Sequence, residues 1–144
     1  MILADVADTM AFGRHLAEVS RAGDVIALAG PLGVGKTTLV RGFLAGLGHE
    51  GEVLSPSFAI VQPYDDLALP AWHVDLYRLR DTSELAELGL EDTGGAVLLV
   101  EWPEHAGEQA WPAALRLTLD FAEAGARRLT VVVPPPWEGR WPPR

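Results

Sequence analysis

In Val25-Ile26-Ala27-Leu28-Ala29-Gly30-Pro31-Leu32-Gly33-Val34-Gly35-Lys36-Thr37-Thr38, a short apolar run passes into a glycine-rich loop and then a helix. Five consecutive apolar residues, Val25 to Ala29, read as a strand buried on both faces. Gly30 to Gly35 is the loop. From Lys36 to Leu47 the residues Leu39, Val40, Phe43, Leu44 and Leu47 fall on one side of a helix, and Gly48 is its natural C-terminal stop.

Gly30-Pro31-Leu32-Gly33-Val34-Gly35-Lys36-Thr37 fits G-x-x-x-x-G-K-[ST] at every fixed position. Glycines let the backbone curl until successive N–H groups point inward at phosphate oxygens, and the helix from Lys36 brings its positive dipole end to the same spot. Lys36 can reach β- and γ-phosphates, and the Thr37 hydroxyl can ligate Mg²⁺. A chance match in such a chain is on the order of 1 in 200. The context narrows it further: Lys36 is the only lysine, in a chain whose other ten basic residues are arginine. Binding of a nucleoside triphosphate follows.

Such a site needs a carboxylate at the C-terminal end of a neighbouring buried strand. Ala96-Val97-Leu98-Leu99-Val100 is a fully apolar strand ending at Glu101-Trp102-Pro103, so Glu101 is the first candidate. Asp75 is the second. Trp72, Val74 and Leu76 alternate with His73, Asp75 and Tyr77, so if the former point inward, His73 and Asp75 share the opposite face. By residue type alone Asp75 reads equally well as a solvated-face acid, whereas Ser57 reads first as a turn serine in Ser55-Pro56-Ser57 and His73 first as a structural or sheet histidine. His15, His49 and His105 read as surface residues. Trp102 stands at the edge of the site through its neighbour Glu101.

Outward from the loop, Phe12, Leu16 and Val19 mark a helix from Asp8 to Ser20, capped by Asp8 and ended by Gly23. Phe58 to Val61 is strand-like. Asp81 and Glu84 open a helix that ends near Gly89. Leu115, Leu117, Leu119 and Phe121 alternate with polar residues, and Gly125-Ala126 turns the chain into Leu129 to Val133, an antiparallel hairpin. The expected fold is α/β: a three-layer, P-loop NTPase-like sandwich with a mixed, partly parallel central sheet and a C-terminal hairpin. Residues 1–133 read as one domain, and 134–144 as a Pro/Trp-rich tail ordered only by docking.

Composition fits this. The 144 residues are 49% hydrophobic and 22% charged, an ordinary globular balance that excludes wholesale disorder. With no cysteine, disulfide scaffolds, thiolate metal sites and cysteine nucleophiles are excluded. Eleven basic against twenty acidic residues give a net charge of −9, which disfavours autonomous nucleic-acid binding. No stretch has the length of a membrane span, and the N-terminus lacks a basic-then-apolar leader, so the cytoplasm is the expected location.

Four segments together, Gly30 to Thr38, Ser55-Pro-Ser-Phe58, His73-Val-Asp-Leu-Tyr-Arg78 and Val100-Glu-Trp-Pro103, resemble the TsaE (YjeE) family. These are small bacterial P-loop ATPases that take part in making threonylcarbamoyladenosine in tRNA. The resemblance runs from about Thr9 to the hairpin. It implies that Gly33, Val34, Gly35, Lys36, Thr37 and Thr38 cradle the phosphates, with Lys36 on β/γ and Thr37 on Mg²⁺. It further implies that Asp75 and Glu101 complete the metal and water-handling shell, that Thr9 lies near the adenine, that Ser57 belongs to a nucleotide-responsive switch, and that Trp102 lies beside the nucleotide. The family's acidic residue after the first glycine is here Pro31, which removes one N–H donor, and its switch threonine is Ser57.

The expected activity is therefore an Mg-dependent ATPase, slow alone and activated by partners, since no arginine near the motifs is an obvious finger. By resemblance the base is adenine and the partners are a TsaB–TsaD heterodimer that holds the tRNA, reset by ATP hydrolysis. Two other classes share the loop. One is a nucleotide-gated binding module without essential hydrolysis, separated by a Glu101 variant. The other is a small-molecule or nucleoside kinase, separated by screening for a phosphorylated product.

Overall fold

The computed structural model describes residues 1–53, 60–107 and 110–143. Its strands are β1 (Ile2–Leu3), β2 (Val25–Ala29), β3 (Val61–Tyr64), β4 (Ala71–Asp75), β5 (Val97–Glu101), β6 (Leu115–Phe121) and β7 (Arg127–Val132). The α-helices are α1 (Val6–Val19) and α2 (Lys36–Gly46); shorter 3₁₀ turns cover Thr82–Leu88, Pro103–Ala106, Glu123–Gly125 and Pro135–Trp137. The strands form one sheet in the order β1-β7-β6-β2-β5-β4-β3. The central four, β6, β2, β5 and β4, run parallel, and both flanks are antiparallel. This is the mixed sheet and C-terminal hairpin expected.

β2 and β5 match their apolar runs to within a residue because each is covered on both faces. Ile26, Leu28, Leu99, Leu115, Leu117 and Leu119 join Leu16, Leu39, Phe43 and Leu44 of the helices in one core. Each such side chain, fully buried, contributes roughly 1.5–3 kcal/mol. Behind the other face, Val74, Leu76, Leu98 and Val100 pack with Leu79 and Ala106. That third layer consists of loops and 3₁₀ turns rather than α-helices.

α1 and α2 lie against each other through glycines on both sides. A Cβ on Gly42 would collide with the Met10 carbonyl, and one on Gly13 with the Leu39 carbonyl. α2 ends as Gly48 suggests: Gly48 and His49 donate to the carbonyls of Ala45 and Leu44 at 3.0 and 2.9 Å, with Gly48 at φ 97°.

Several local expectations change. The cap of α1 is Asp5, whose side chain accepts from the Asp8 N–H at 2.8 Å; Asp8 sits inside the first turn and accepts from Ala4 N–H at 3.0 Å. Two acids three apart both look like caps, and the one that begins the helix wins. The Asp81 segment forms a 3₁₀ turn with no fully buried side chain; Leu85 and Leu88 pack only partly against the second cluster, too little to draw it into a full α-helix. Of the strand expected at Phe58–Val61, only Val61 opens β3. Leu54 to Ala59, Ser57 among them, lie outside the described residues. β3 continues instead through Pro63, which an edge strand tolerates because no outer neighbour needs its missing N–H.

The tail docks. Trp137 is 1% exposed and belongs to the main core, and Trp141 packs edge-on against Phe12 at 5.9 Å. Arg140 clamps Asp24 with two hydrogen bonds of 2.6 and 3.1 Å and lies over the Trp137 ring.

Candidate functional site

Parallel register brings three sequence segments to one edge. Glu101, at the end of β5, is paired with Leu28 of β2 on one side and Asp75 of β4 on the other. The Gly30 loop leaves β2 at that same edge, where ligands of open α/β sheets bind. The loop's shape demands its glycines: Gly30, Gly33 and Gly35 have φ of 143°, 79° and 116°. At Gly30 a Cβ would also strike the Leu119 carbonyl. Gly35 is the N-cap of α2 with no side-chain cap, so the first-turn N–H groups of α2 have no intrahelical acceptor and converge on the loop. The Val34 side chain is fully buried and anchors the loop to the core.

Lys36, 4% exposed, donates to the Gly30 carbonyl at 2.6 Å and stands 3.5 Å above the centre of the Trp102 ring. Burial pulls its ammonium below the usual lysine range, opposed by the nearby carboxylates of Glu101, Glu104 and Asp75. The Thr37 hydroxyl donates to Glu101 Oε2 at 3.0 Å. His73 Nε2 meets that same oxygen at 2.5 Å, with both side chains buried. The geometry therefore makes the Nε2–H the donor to the carboxylate. His73 Nδ1 has no hydrogen-bond partner among the described residues.

Asp75 Oδ1 accepts from the Tyr77 N–H at 2.9 Å. Burial raises its carboxyl above the ordinary aspartate range; that backbone bond opposes the shift and the Glu101 charge adds to it. Trp102 holds a left-handed backbone (φ 59°), uncommon without glycine, fixed by its N–H to the Leu28 carbonyl at 3.2 Å. Its ring packs with Tyr77 and His105 at 5.0 and 5.7 Å. His105 is not a free surface residue: its Nδ1 donates to the Leu76 carbonyl at 2.7 Å.

Lys36, Thr37, Glu101 and Trp102 are thus joined directly, with Asp75 on the adjacent strand end. Thr9 is buried on α1, its hydroxyl donating to the Asp5 carbonyl at 3.3 Å within its own helix. Two partners were not evident from spacing. His73, read as structural, is bonded to the central carboxylate. Arg127, on the far hairpin, donates to the Val34 carbonyl at 2.7 Å. The alternation in β4 did put His73 and Asp75 on one face; it did not reveal that this face is interior as well.

Among the described residues no group of three or more His, Asp and Glu side chains could hold a metal by itself. A hydroxyl beside a carboxylate is instead a partial set of hard oxygens, suited to Mg²⁺, which completes its shell with phosphates and water.

The family model described as threonylcarbamoyl adenosine biosynthesis protein TsaE matches residues 3–129. The tRNA threonylcarbamoyladenosine biosynthesis protein TsaE of Bacillus subtilis is 40% identical over 125 residues, covering 85% of this chain and 78% of its own. That of Streptomyces coelicolor is 44% identical over 114 residues, covering 76% and 77%. That of Haemophilus influenzae is 34% identical over 138 residues, covering 90% and 86%. The crystal structure of Bacillus subtilis YdiB superposes with a TM-score of 0.74 at 32% identity, covering 91% of this chain and 82% of that one.

Proposed function

This chain belongs to the TsaE family of tRNA threonylcarbamoyladenosine biosynthesis, and from that premise we propose that it is an Mg²⁺-dependent ATPase serving the complex that makes this modification. The observation that carries the reading is the bond from the Thr37 hydroxyl to Glu101 Oε2, beneath a glycine loop that opens α2. A hydroxyl and a carboxylate from separate elements converge where a triphosphate's terminal groups would lie.

In this reading the amides from Gly33 to Thr38 bind the phosphates, and Lys36 supplies the positive charge toward β and γ. Thr37 and Glu101 would hold the cation, with Asp75 beside them on β4. Mg²⁺, when bound, neutralises charge that develops on the phosphate oxygens. His73 keeps Glu101 in one rotamer by donating to Oε2. Asp75 and Glu101 orient the attacking water. Trp102 excludes solvent beside the nucleotide, and Thr9 contributes to the adenine side. Ser57 belongs to the switch segment.

Arg127 reaches the loop on its carbonyl side, engaged with backbone oxygens. For charge stabilisation in the transition state this reading looks to partners, a TsaB–TsaD heterodimer that also holds the tRNA, and hydrolysis resets that assembly. The test is ATP turnover by the purified chain with and without the two partner proteins and tRNA. Alone it should run far below the enzyme median of about 10 s⁻¹ and rise when they are added. Glu101→Gln should keep micromolar-to-millimolar Mg-ATP binding and lose about 100-fold or more in turnover. Undiminished turnover by that variant would refute the assignment.

A further inference from the structure

Arg127 opens β7, yet its side chain ends at the glycine loop, 93 residues earlier in the chain. Nη1 donates to the carbonyls of Gly125 and Ala126 at 2.8 and 3.2 Å, and the guanidinium lies 4.7 Å from the centre of the Phe121 ring. The hairpin turn thus holds the side chain in one place. From there Nε donates to the Val34 carbonyl oxygen at 2.7 Å. With the Val34 side chain buried on the other side, this residue is gripped at both ends.

Peptide planarity carries the consequence. In a trans peptide the carbonyl of one residue and the N–H of the next point in opposite directions. A Val34 carbonyl held toward Arg127 therefore turns the Gly35 N–H away from the hairpin. Gly35, at φ 116°, has no Cβ to dictate which way that peptide faces. The reversed orientation would present a carbonyl dipole, repulsive to an anion, where an amide is wanted.

We propose that Arg127 is a positioning residue for the phosphate loop: by holding the Val34 carbonyl it keeps the Gly35 amide directed at the bound phosphates. The inference rests on the nucleotide-binding reading above. Arg127 acts through the backbone and touches no phosphate itself.

The experiment is calorimetric titration of the full chain with Mg-ADP for wild type, Arg127→Met, Arg127→Leu and Arg127→Lys, paired with the amide NMR signal of Gly35. Met and Leu remove the donor to Val34, and either one that folds suffices. Affinity should fall about tenfold or more, as for loss of a hydrogen bond from a charged donor. The Gly35 shift on saturation with Mg-ADP should be smaller than in wild type. Lys, which still donates, should recover part of both. A purely structural role would lower thermal stability and leave the Gly35 shift at saturation unchanged, and that result overturns the inference. So does wild-type affinity in a folded Met or Leu variant. If wild type itself takes up no Mg-ADP, the functional reading falls and this inference with it, whereas uptake by wild type with indifferent variants overturns this inference alone.

Discussion

Lys36 and Asp75 are both held in the charged form less readily here than in water. Burial lowers the lysine and raises the aspartate, so each ion is a cost to the folded state. The signs are separable. With its folded value lowered, Lys36 carries its penalty below that value, and the penalty is relieved as pH climbs toward 10.5. Lys36→Met should therefore unfold at no lower temperature than wild type at pH 7, the gap narrowing at alkaline pH, while Mg-ATP uptake is lost. Asp75 is the mirror case: its penalty is absent below pH 3.8 and is fully present above its raised folded value. Asp75→Asn, which keeps an acceptor for the Tyr77 N–H, should melt higher than wild type at pH 7 and lose that advantage as pH falls toward 3.8. Melting curves across pH check both, and a Lys36→Met gap that widened above neutrality would contradict the first. At this scale Lys36, Thr37 and Glu101 were legible because fixed spacing and strand ends mark them. His73 and Arg127 were not, since their partners lie 28 and 93 residues away and no local pattern encodes such distances.

Among the elements, the α1–α2 contact is the most exacting. Gly42 meets the Met10 backbone, which cannot move aside as a flexible side chain could. Gly42→Ala should gain about 1 kcal/mol of helix propensity but lose more to forced separation of the helices. A net destabilisation of about 1–2 kcal/mol is expected, read from urea midpoints at unchanged slope. Apolar continuity located β2 and β5 in the sequence because burial on both faces leaves no polar positions, while apolar residues on one side located α2. β1 escaped notice: two residues carry no periodicity, and it exists only because β7 offers an edge for Ile2 and Leu3. The segment after Asp81 carries a cap and a terminating glycine, Gly89, yet with Leu85 and Leu88 only partly buried those end signals produce only a 3₁₀ turn.

For the molecule as a whole, the last residues complete the main core. Trp137→Ala should cost about 3–5 kcal/mol, comparable with large aromatic truncations elsewhere. Arg140→Ala should cost less, about 1–3 kcal/mol, by leaving Asp24 short of two charged donors. Thermal melts of each would decide, and wild-type stability in Trp137→Ala would mean the tail is dispensable. A net charge of −9 sets the other global property. Direct retention of tRNA by this chain in a gel-shift assay should be negligible at physiological salt. By itself the sequence determined the strand–loop–helix unit and the mixed α/β class, because these depend on neighbours within about ten residues. The tertiary structure alone decided that His73 and Thr37 share one oxygen of Glu101, that Trp102 lies under Lys36, and that a hairpin arginine braces Val34. Those contacts depend on the order and register of the strands, parallel and antiparallel, a property of the packed sheet that no single segment contains.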